Sequence, residues 1–174
     1  MADRILVVAG ARALDVSPAA RLWAMRETAT RVLSGRYTTV VQGRCAKSPD
    51  EWADELAKLA RLVRIAWPID GGPQVLIPVQ PFGWHVRDLR DAARYPYRGP
   101  IPRNEAMARW AGDQRRAGHD VDAVTLRCDW PAADGRRTNG TGRARDYLVA
   151  QLGADRVTDL VCPLEYGPGG DTRG

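Results

Sequence analysis

Long hydrophobic runs are absent from the sequence: no segment approaches the roughly 18 to 20 apolar residues that cross a bilayer, and no signal-peptide pattern precedes Ile5. Cysteine is scarce, with only Cys45, Cys128 and Cys162, and no two of them form a C-x-x-C pair. An odd number of distant cysteines argues against a disulfide framework and against structural zinc. We therefore expect a soluble, cytoplasmic protein with no membrane contact, no metal and no cofactor.

Lysine is nearly missing as well. Lys47 and Lys58 are the only two, the other 24 basic residues are arginine, and the formal net charge is +5. Genomic base composition is one explanation of this bias, and an anionic ligand is another, because the guanidinium group binds phosphate in a bidentate manner. The arginines are dispersed along the chain rather than grouped in a block, which argues against a duplex-DNA surface.

The 174 residues, 44% of them hydrophobic, fit one domain. We predict that this domain spans residues 1–166 and that the glycine-rich stretch 167–174 is a disordered tail. Short β-branched runs alternate with helical patterns, which predicts an α/β fold: a Rossmann-like open parallel sheet of about five strands with helices on both faces. The predicted strands are 5–9, 38–42, 63–67, 123–127 and 156–161.

Two helix starts carry strong signals, Ser17-Pro18 and the capping box Ser48-Pro49-Asp50-Glu51. Further helices are expected from Pro102 to Ala117 and from about Thr141 onwards. The apolar residues predicted to face the core are Leu22, Met25, Ala29, Val32 and Leu33 in the first helix and Trp52, Leu56, Leu59 and Ala60 in the second. Between 69 and 98 glycine and proline break every pattern, which predicts an irregular insertion that serves as a lid or an oligomer contact.

Three glycine-bearing turns fall where parallel strands end or a helix begins. They are Gly10-Ala11-Arg12, Gly43-Arg44-Cys45-Ala46-Lys47-Ser48 and Thr138-Asn139-Gly140-Thr141-Gly142. Glycine lets the backbone approach a ligand closely, and the free amides at a helix start bind anions. Because ligands of open parallel sheets bind at the carboxyl ends of the strands, we predict a phosphate site at this edge, with an ordinary capped turn as the alternative. None of the turns matches a Walker loop or a G-x-G-x-x-G fingerprint.

Arg103-Asn104-Glu105 places a guanidinium, an amide and a carboxylate in the first turn of the third predicted helix. They are either exposed residues of a helix start or members of the site. In the second case Arg103 would hold a phosphate, Asn104 would bind a sugar or base, and Glu105 would act as a base or ribose ligand.

Together these motifs resemble the SLOG superfamily, Rossmann-like proteins that include the LONELY GUY phosphoribohydrolases and the DprA-type DNA-processing proteins, and most closely its small stand-alone YspA-like members. Gly10-Ala11-Arg12 is similar to the Gly-Ser-Arg turn of that group, and Gly43 to Asp50 is similar to its Gly-Gly-Ala-x-Gly-Ala-Asp segment. Gly99 to Asn104 is similar to its Gly-Pro-x-Arg-Asn helix start, and Thr138 to Thr141 to its Ser-x-Gly-Thr turn. The resemblance implies a nucleotide or nucleotide-derived ligand at the carboxyl edge and a homodimer or higher homo-oligomer.

The chain also departs from that pattern. The catalytic glutamate of the phosphoribohydrolases lies three residues after the threonine that Thr141 matches, and the residue there is Ala144. Arg44, Cys45 and Lys47 stand where small residues are usual in the group. The usual phosphoribohydrolase active site is therefore absent.

Three functions stay open on the sequence. The first is hydrolysis of an N-glycosidic or phosphate bond of a nucleotide, with Asp50, Glu105, Asp129 and Asp134 as candidate carboxylates. The second is a non-catalytic sensor or sequestering protein for a nucleotide signal, which Ala144 favours. The third is single-stranded nucleic acid binding, for which Trp84 and Trp130 are the aromatic candidates. Trp84 and His85 are also the predicted lid over a bound base.

Overall fold

The computed structural model describes residues 2–132, 135 and 140–169. Its strands are β1 (Arg4–Gly10), β2 (Thr39–Gln42), β3 (Val63–Ala66), β4 (Gln74–Val79), β5 (Gly83–Asp88), β6 (Asp120–Arg127) and β7 (Val157–Val161). Its α-helices are α1 (Pro18–Val32), α2 (Pro49–Leu59), α3 (Pro100–Arg116) and α4 (Gly140–Leu152). All strands join one sheet in the order β5-β4-β3-β2-β1-β6-β7. The predicted α/β, Rossmann-like architecture is confirmed, whereas the predicted number of about five strands is too low.

The centre of the sheet is parallel, and β1 occupies its middle. β2 and β3 extend it on one side, and β6 and β7 extend it on the other. Along β1 the side chains alternate: Ile5 and Val7 pack in the cluster that contains α3 and α4, and Leu6 and Val8 pack in the cluster that contains α1 and α2. The helices thus cover both faces, and the strand order reverses at β1, where α/β sheets form their ligand clefts.

The segment 69–98, predicted to be irregular, contains the two strands that the sequence reading missed. β4 pairs antiparallel with β3, and β5 pairs antiparallel with β4, so a hairpin extends the sheet to an outer edge. Pro78 argued against a strand in the sequence, because proline cannot donate the backbone hydrogen bond that a paired strand needs. Here Pro78 lies beyond the part of β4 that pairs with β3 and has Trp84 as its partner.

Helix α1 turns its small side chains toward the sheet. The buried residues are Ala20, Ala24, Thr28 and Val32, whereas Leu22, Met25 and Leu33, predicted to be core residues, are exposed. Short side chains allow the helix to approach the strands closely, and the buried Thr28 hydroxyl donates to the Ala24 carbonyl at 2.7 Å. The prediction holds for Val32, which is buried, and for Ala29, which is half-buried; because both faces of α1 carry apolar residues, periodicity alone did not identify the buried face.

Helix α2 shows the same correction at its end. Leu59 and Ala60 are exposed, and the buried side consists of Trp52, Ala53 and Ala57. Its predicted start is confirmed: Ser48 is the N-cap, and its side chain accepts from Asp50 N–H at 3.2 Å.

In the part of the chain that the structure describes, no helix is long and apolar enough to cross a membrane.

The chain after β7 forms a short 3₁₀-helix at Leu164–Tyr166, and the Tyr166 carbonyl accepts a hydrogen bond from the Ser17 hydroxyl. Residues 170–174 of the predicted tail lie outside the described residues.

Candidate functional site

A cleft of about 370 Å³ opens at the carboxyl edge of β1, beside the first turns of α2, α3 and α4. The described residues that line it are Ala9, Gly10, Ala11, Arg12, Cys45, Asp50, Pro100, Ile101, Arg103, Asn104, Gly140, Thr141 and Arg143. They come from five separate stretches of chain. Eight of the predicted site residues are among them, because parallel strands deliver their following loops to one edge.

Asp50 is a fully buried carboxylate that joins two of the predicted turns. Its Oδ1 accepts from Gly10 N–H at 2.9 Å, and its Oδ2 accepts from Gly43 N–H at 3.1 Å. Burial raises the pKa of Asp50 to about 6, although the Arg103 guanidinium and the backbone amides lower it in part. Asp50 therefore fastens the end of β1 to the end of β2 at the floor of the cleft.

Arg103, predicted as either an exposed residue of a helix start or a phosphate ligand, is buried as well. Its Nη1 donates to the carbonyl of Gly43 and to the carbonyl of Trp67, the latter at 3.1 Å, and its Nε donates to Asn104 Oδ1 at 2.9 Å. With 5% exposure the side chain supports the cleft from beneath. A buried guanidinium with these partners organises the loops around it.

The absence of a side chain at Gly10 and Gly43 has a steric reason in each case. A Cβ on Gly43 would lie 2.6 Å from Asp50 Oδ2 and would overlap the Arg103 guanidinium, and a Cβ on Gly10 would overlap the Pro49 ring. Both glycines let backbone pack directly against the residues that build the floor.

The start of α4 forms the opposite wall. Asn104 Nδ2 donates to the Gly140 carbonyl at 3.2 Å, which ties α3 to α4. Thr141 is 9% exposed, and Arg143 is exposed at the rim. Thr138, Asn139 and Asp134, predicted to belong to the site, lie outside the described residues.

The electrostatics of the cleft favour an anion. Helices α3 and α4 begin at it with no acidic residue in their first turns, and the amino end of a helix carries a partial positive charge, whereas the first turn of α2 carries Asp50 and Glu51. Arg12 and Arg143 add two exposed guanidinium groups, neither of which forms an ion pair within the described part of the chain. Asp50 is the one carboxylate among the described lining residues, and it is buried beneath the cleft.

Several predicted site residues lie near the cleft without lining it in the described structure. Arg44 and Lys47 are exposed, and both adopt left-handed backbone conformations, with φ of 53° and 52°. Glycine adopts this conformation most easily, so an arginine and a lysine here hold a strained backbone. Ser48 is used as a helix cap, and Gly142 follows Thr141 in the first turn of α4.

The other predicted carboxylates and the predicted lid lie elsewhere. Glu105 and Asp129 are exposed and are not among the described lining residues. Trp84 and His85 lie on β5, at the edge of the sheet four strands from β1.

The two tryptophans predicted as stacking platforms are each half-buried and already in contact. The Arg64 guanidinium lies over the Trp84 ring at 4.3 Å, and Trp130 Nε1 donates to the Ala13 carbonyl at 2.9 Å.

Five described lining residues were not predicted as site residues: Ala9, Cys45, Pro100, Ile101 and Arg143. A cation in the first turn of a helix opposes the helix dipole, so the position of Arg143 is a sequence signal that favours a bound anion. Burial is the main cause that raises the pKa of the Cys45 thiol, and the negative charge of nearby Asp50 raises this pKa further. The thiol therefore stays protonated near neutral pH.

Comparison with protein-family models, with curated proteins and with solved structures gives no significant match to this chain. Among residues 2–132, 135 and 140–169, no three His, Cys, Asp or Glu side chains are grouped as a metal site requires.

Proposed function

We propose that the cleft binds a nucleotide or nucleotide-derived ligand through its phosphate groups. The observation that carries this proposal is the meeting of two helix starts without acidic residues, those of α3 and α4, with two exposed arginines, Arg12 and Arg143, around one open cleft. Backbone amides at helix starts and guanidinium groups are the donors that proteins use for phosphate. The described residues of the four motifs that resemble the SLOG superfamily lie around this same edge, and the resemblance supports a nucleotide over a simple anion.

The contacts of Asp50 favour binding without cleavage. A carboxylate that attacks a sugar carbon or activates water needs an oxygen free to face the ligand. Both Asp50 oxygens accept backbone N–H groups instead, and Ala144 stands where the phosphoribohydrolases have their catalytic glutamate. We therefore place the non-catalytic role, as sensor or sequestering protein, first.

Hydrolysis stays as the second candidate, since one observation supports it. Asp50 lines the cleft, and its pKa of about 6 is near the value that suits a general base at neutral pH.

Calorimetric titration with AMP, ATP, ADP-ribose and NAD tests the proposal, with each mixture analysed afterwards by mass spectrometry. We expect Arg143→Ala and Arg12→Ala each to weaken binding about ten-fold or more, because each removes a charge-assisted hydrogen bond. Arg26→Ala, an exposed arginine on α1, is the matched control and should bind as the parent protein does. Binding of short single-stranded DNA alone, or equal affinity in all variants, would contradict the proposal, and a released base or phosphate would establish the hydrolase.

A further inference from the structure

A second cavity, of about 340 Å³, lies between α3 and the part of the sheet that the β4–β5 hairpin adds. It shares no described lining residue with the cleft at the carboxyl edge of β1. Helix α3 packs mainly on α4, and the chain that follows β5 closes the cavity from the side with Leu89. The volume falls within the range of about 300–1,000 Å³ that is typical of small-molecule sites.

The inner wall of this cavity is apolar. Ile5, Ile65 and Trp110 belong to the core cluster on this face of the sheet, and Val63 and Ile77 are half-buried at its border. Half-buried aliphatic side chains beside a cavity gain free energy when an apolar group covers them. Trp110 also lines the cavity, but at 4% exposure it belongs to the core beneath it.

The rim carries charges of both signs that do not neutralise one another. Arg87 and Arg90 are exposed, and within the described part of the chain neither donates to a carboxylate. Asp91 is exposed beside them, in a left-handed conformation with φ of 61°.

Asp3 completes the rim. Its carboxylate lies 3.7 Å from His119 Nδ1, but that nitrogen already accepts the Asp3 N–H at 3.0 Å and so has no proton to offer. The rim therefore presents guanidinium and carboxylate groups together above an apolar wall.

We propose that this cavity binds a small zwitterion with a large apolar body, of the class of an aliphatic or aromatic amino acid. Arg87 and Arg90 receive the carboxylate, Asp3 and Asp91 receive the ammonium group, and the apolar side chain covers the half-buried Val63 and Ile77. A ligand of one charge leaves rim groups of its own sign unmatched, whereas a zwitterion satisfies both signs.

The chain contains only five isoleucines, and their positions provide an internal control. Ile5, Ile65 and Ile77 line this cavity, Ile101 lines the cleft, and Ile69 lines neither. In methyl-labelled protein, titration with L-phenylalanine should shift the methyl resonances of the first three and leave Ile101 and Ile69 in place. The same spectra report a nucleotide in the cleft through Ile101, so failure at one site is distinguishable from failure at the other.

Truncated ligands test which groups are recognised. N-acetylphenylalanine lacks the ammonium charge, phenylalanine amide lacks the carboxylate, and glycine lacks the apolar body. We expect each to bind about ten-fold or more weakly than phenylalanine. The double variant Arg87→Ala/Arg90→Ala should lose affinity for phenylalanine and retain that for phenylalanine amide, and exposed Arg98→Ala should change neither. Absence of a saturable shift up to about 10 mM, equal binding of the truncated ligands, or a shift of all five methyls would overturn the proposal.

Discussion

Asp50 and Arg103 hold the two backbone polar groups of the same residue, Gly43. The Asp50 carboxylate accepts the Gly43 N–H at 3.1 Å, and the Arg103 guanidinium donates to the Gly43 carbonyl. One buried anion and one buried cation thus fix the turn after β2 from opposite sides. Because Asp50 also accepts Gly10 N–H and Arg103 also donates to the Trp67 carbonyl, the ends of β1, β2 and β3 depend on this pair.

Asp50 should make the stability of the protein depend on pH. Its pKa is raised by burial from 3.8 to about 6, so folding favours the protonated form. The stability contributed by this group is fully present below pH 3.8 and is lost as the pH rises through about 6. In the parent protein, the unfolding free energy should therefore fall by up to about 3 kcal/mol as the pH rises from 3.8 to above 6. In Asp50→Asn this fall should be absent.

The measurement is urea unfolding of both proteins at several pH values between these limits. Exposed Asp70→Asn serves as the control, and its profile should run parallel to that of the parent protein. If the unfolding free energy of Asp50→Asn followed the same pH dependence as that of the parent protein, Asp50 would have the same pKa in the folded and unfolded chain, which contradicts the prediction.

Replacing Arg103 by alanine should lower the unfolding free energy far more than replacing Arg143. Arg103→Ala leaves Asp50 buried without its cation and two carbonyls without a donor, which should lower the unfolding free energy by about 3 kcal/mol or more. Arg143 is exposed, so Arg143→Ala should change it by less than about 0.5 kcal/mol. Chemical denaturation followed by circular dichroism separates these results, and equal stability of the two variants would refute the supporting role of Arg103.

Gly43→Ala should destabilise the fold by about 2 kcal/mol, because the added methyl overlaps charged side chains that are buried and cannot move aside. Gly72→Ala is the matched control, since a Cβ there meets no atom within 4 Å. Thermal unfolding of the two variants side by side is sufficient. If Gly43→Ala were as stable as the control, the side chains of Asp50 and Arg103 would be able to move aside at little cost, and the prediction would be wrong.

The hairpin should depend on the contact between Arg64 and Trp84. Arg64 is 5% exposed, donates to Asp54 Oδ2 at 2.6 Å, and lies over the Trp84 ring at 4.3 Å. A double-mutant cycle with alanine at both positions should give a coupling energy of about 1 kcal/mol. The cycle between Arg61 and Trp84, at 5.9 Å and more exposed, should give less than half of that. Equal coupling in the two cycles would show that burial adds nothing to the Arg64 contact.

Local signals predicted the elements whose shape depends on neighbouring residues. Ser17-Pro18 and Ser48-Pro49 mark the starts of α1 and α2, because a side-chain cap and a fixed proline φ act within one turn of helix. The turns at Gly10 and Gly43 were also predicted for the site, since parallel strands leave their following loops at one edge. The buried face of α1 and the β4–β5 hairpin were not predicted. The first depends on packing against the sheet and the second on pairing with β3, and both partners are distant in the sequence.

The sequence by itself determined the α/β class, the starts of the first two helices and the edge of the sheet at which polar turns collect. All of these depend on residue order over a few positions and on the alternation of strands with helices. Only the tertiary structure decided that Arg103 lies beneath the cleft, that Arg143 lies at its rim, and that Asp50 joins β1 to β2. Such placements arise from packing between segments 40 to 60 residues apart in the chain, and burial at that range leaves no periodic trace in the sequence.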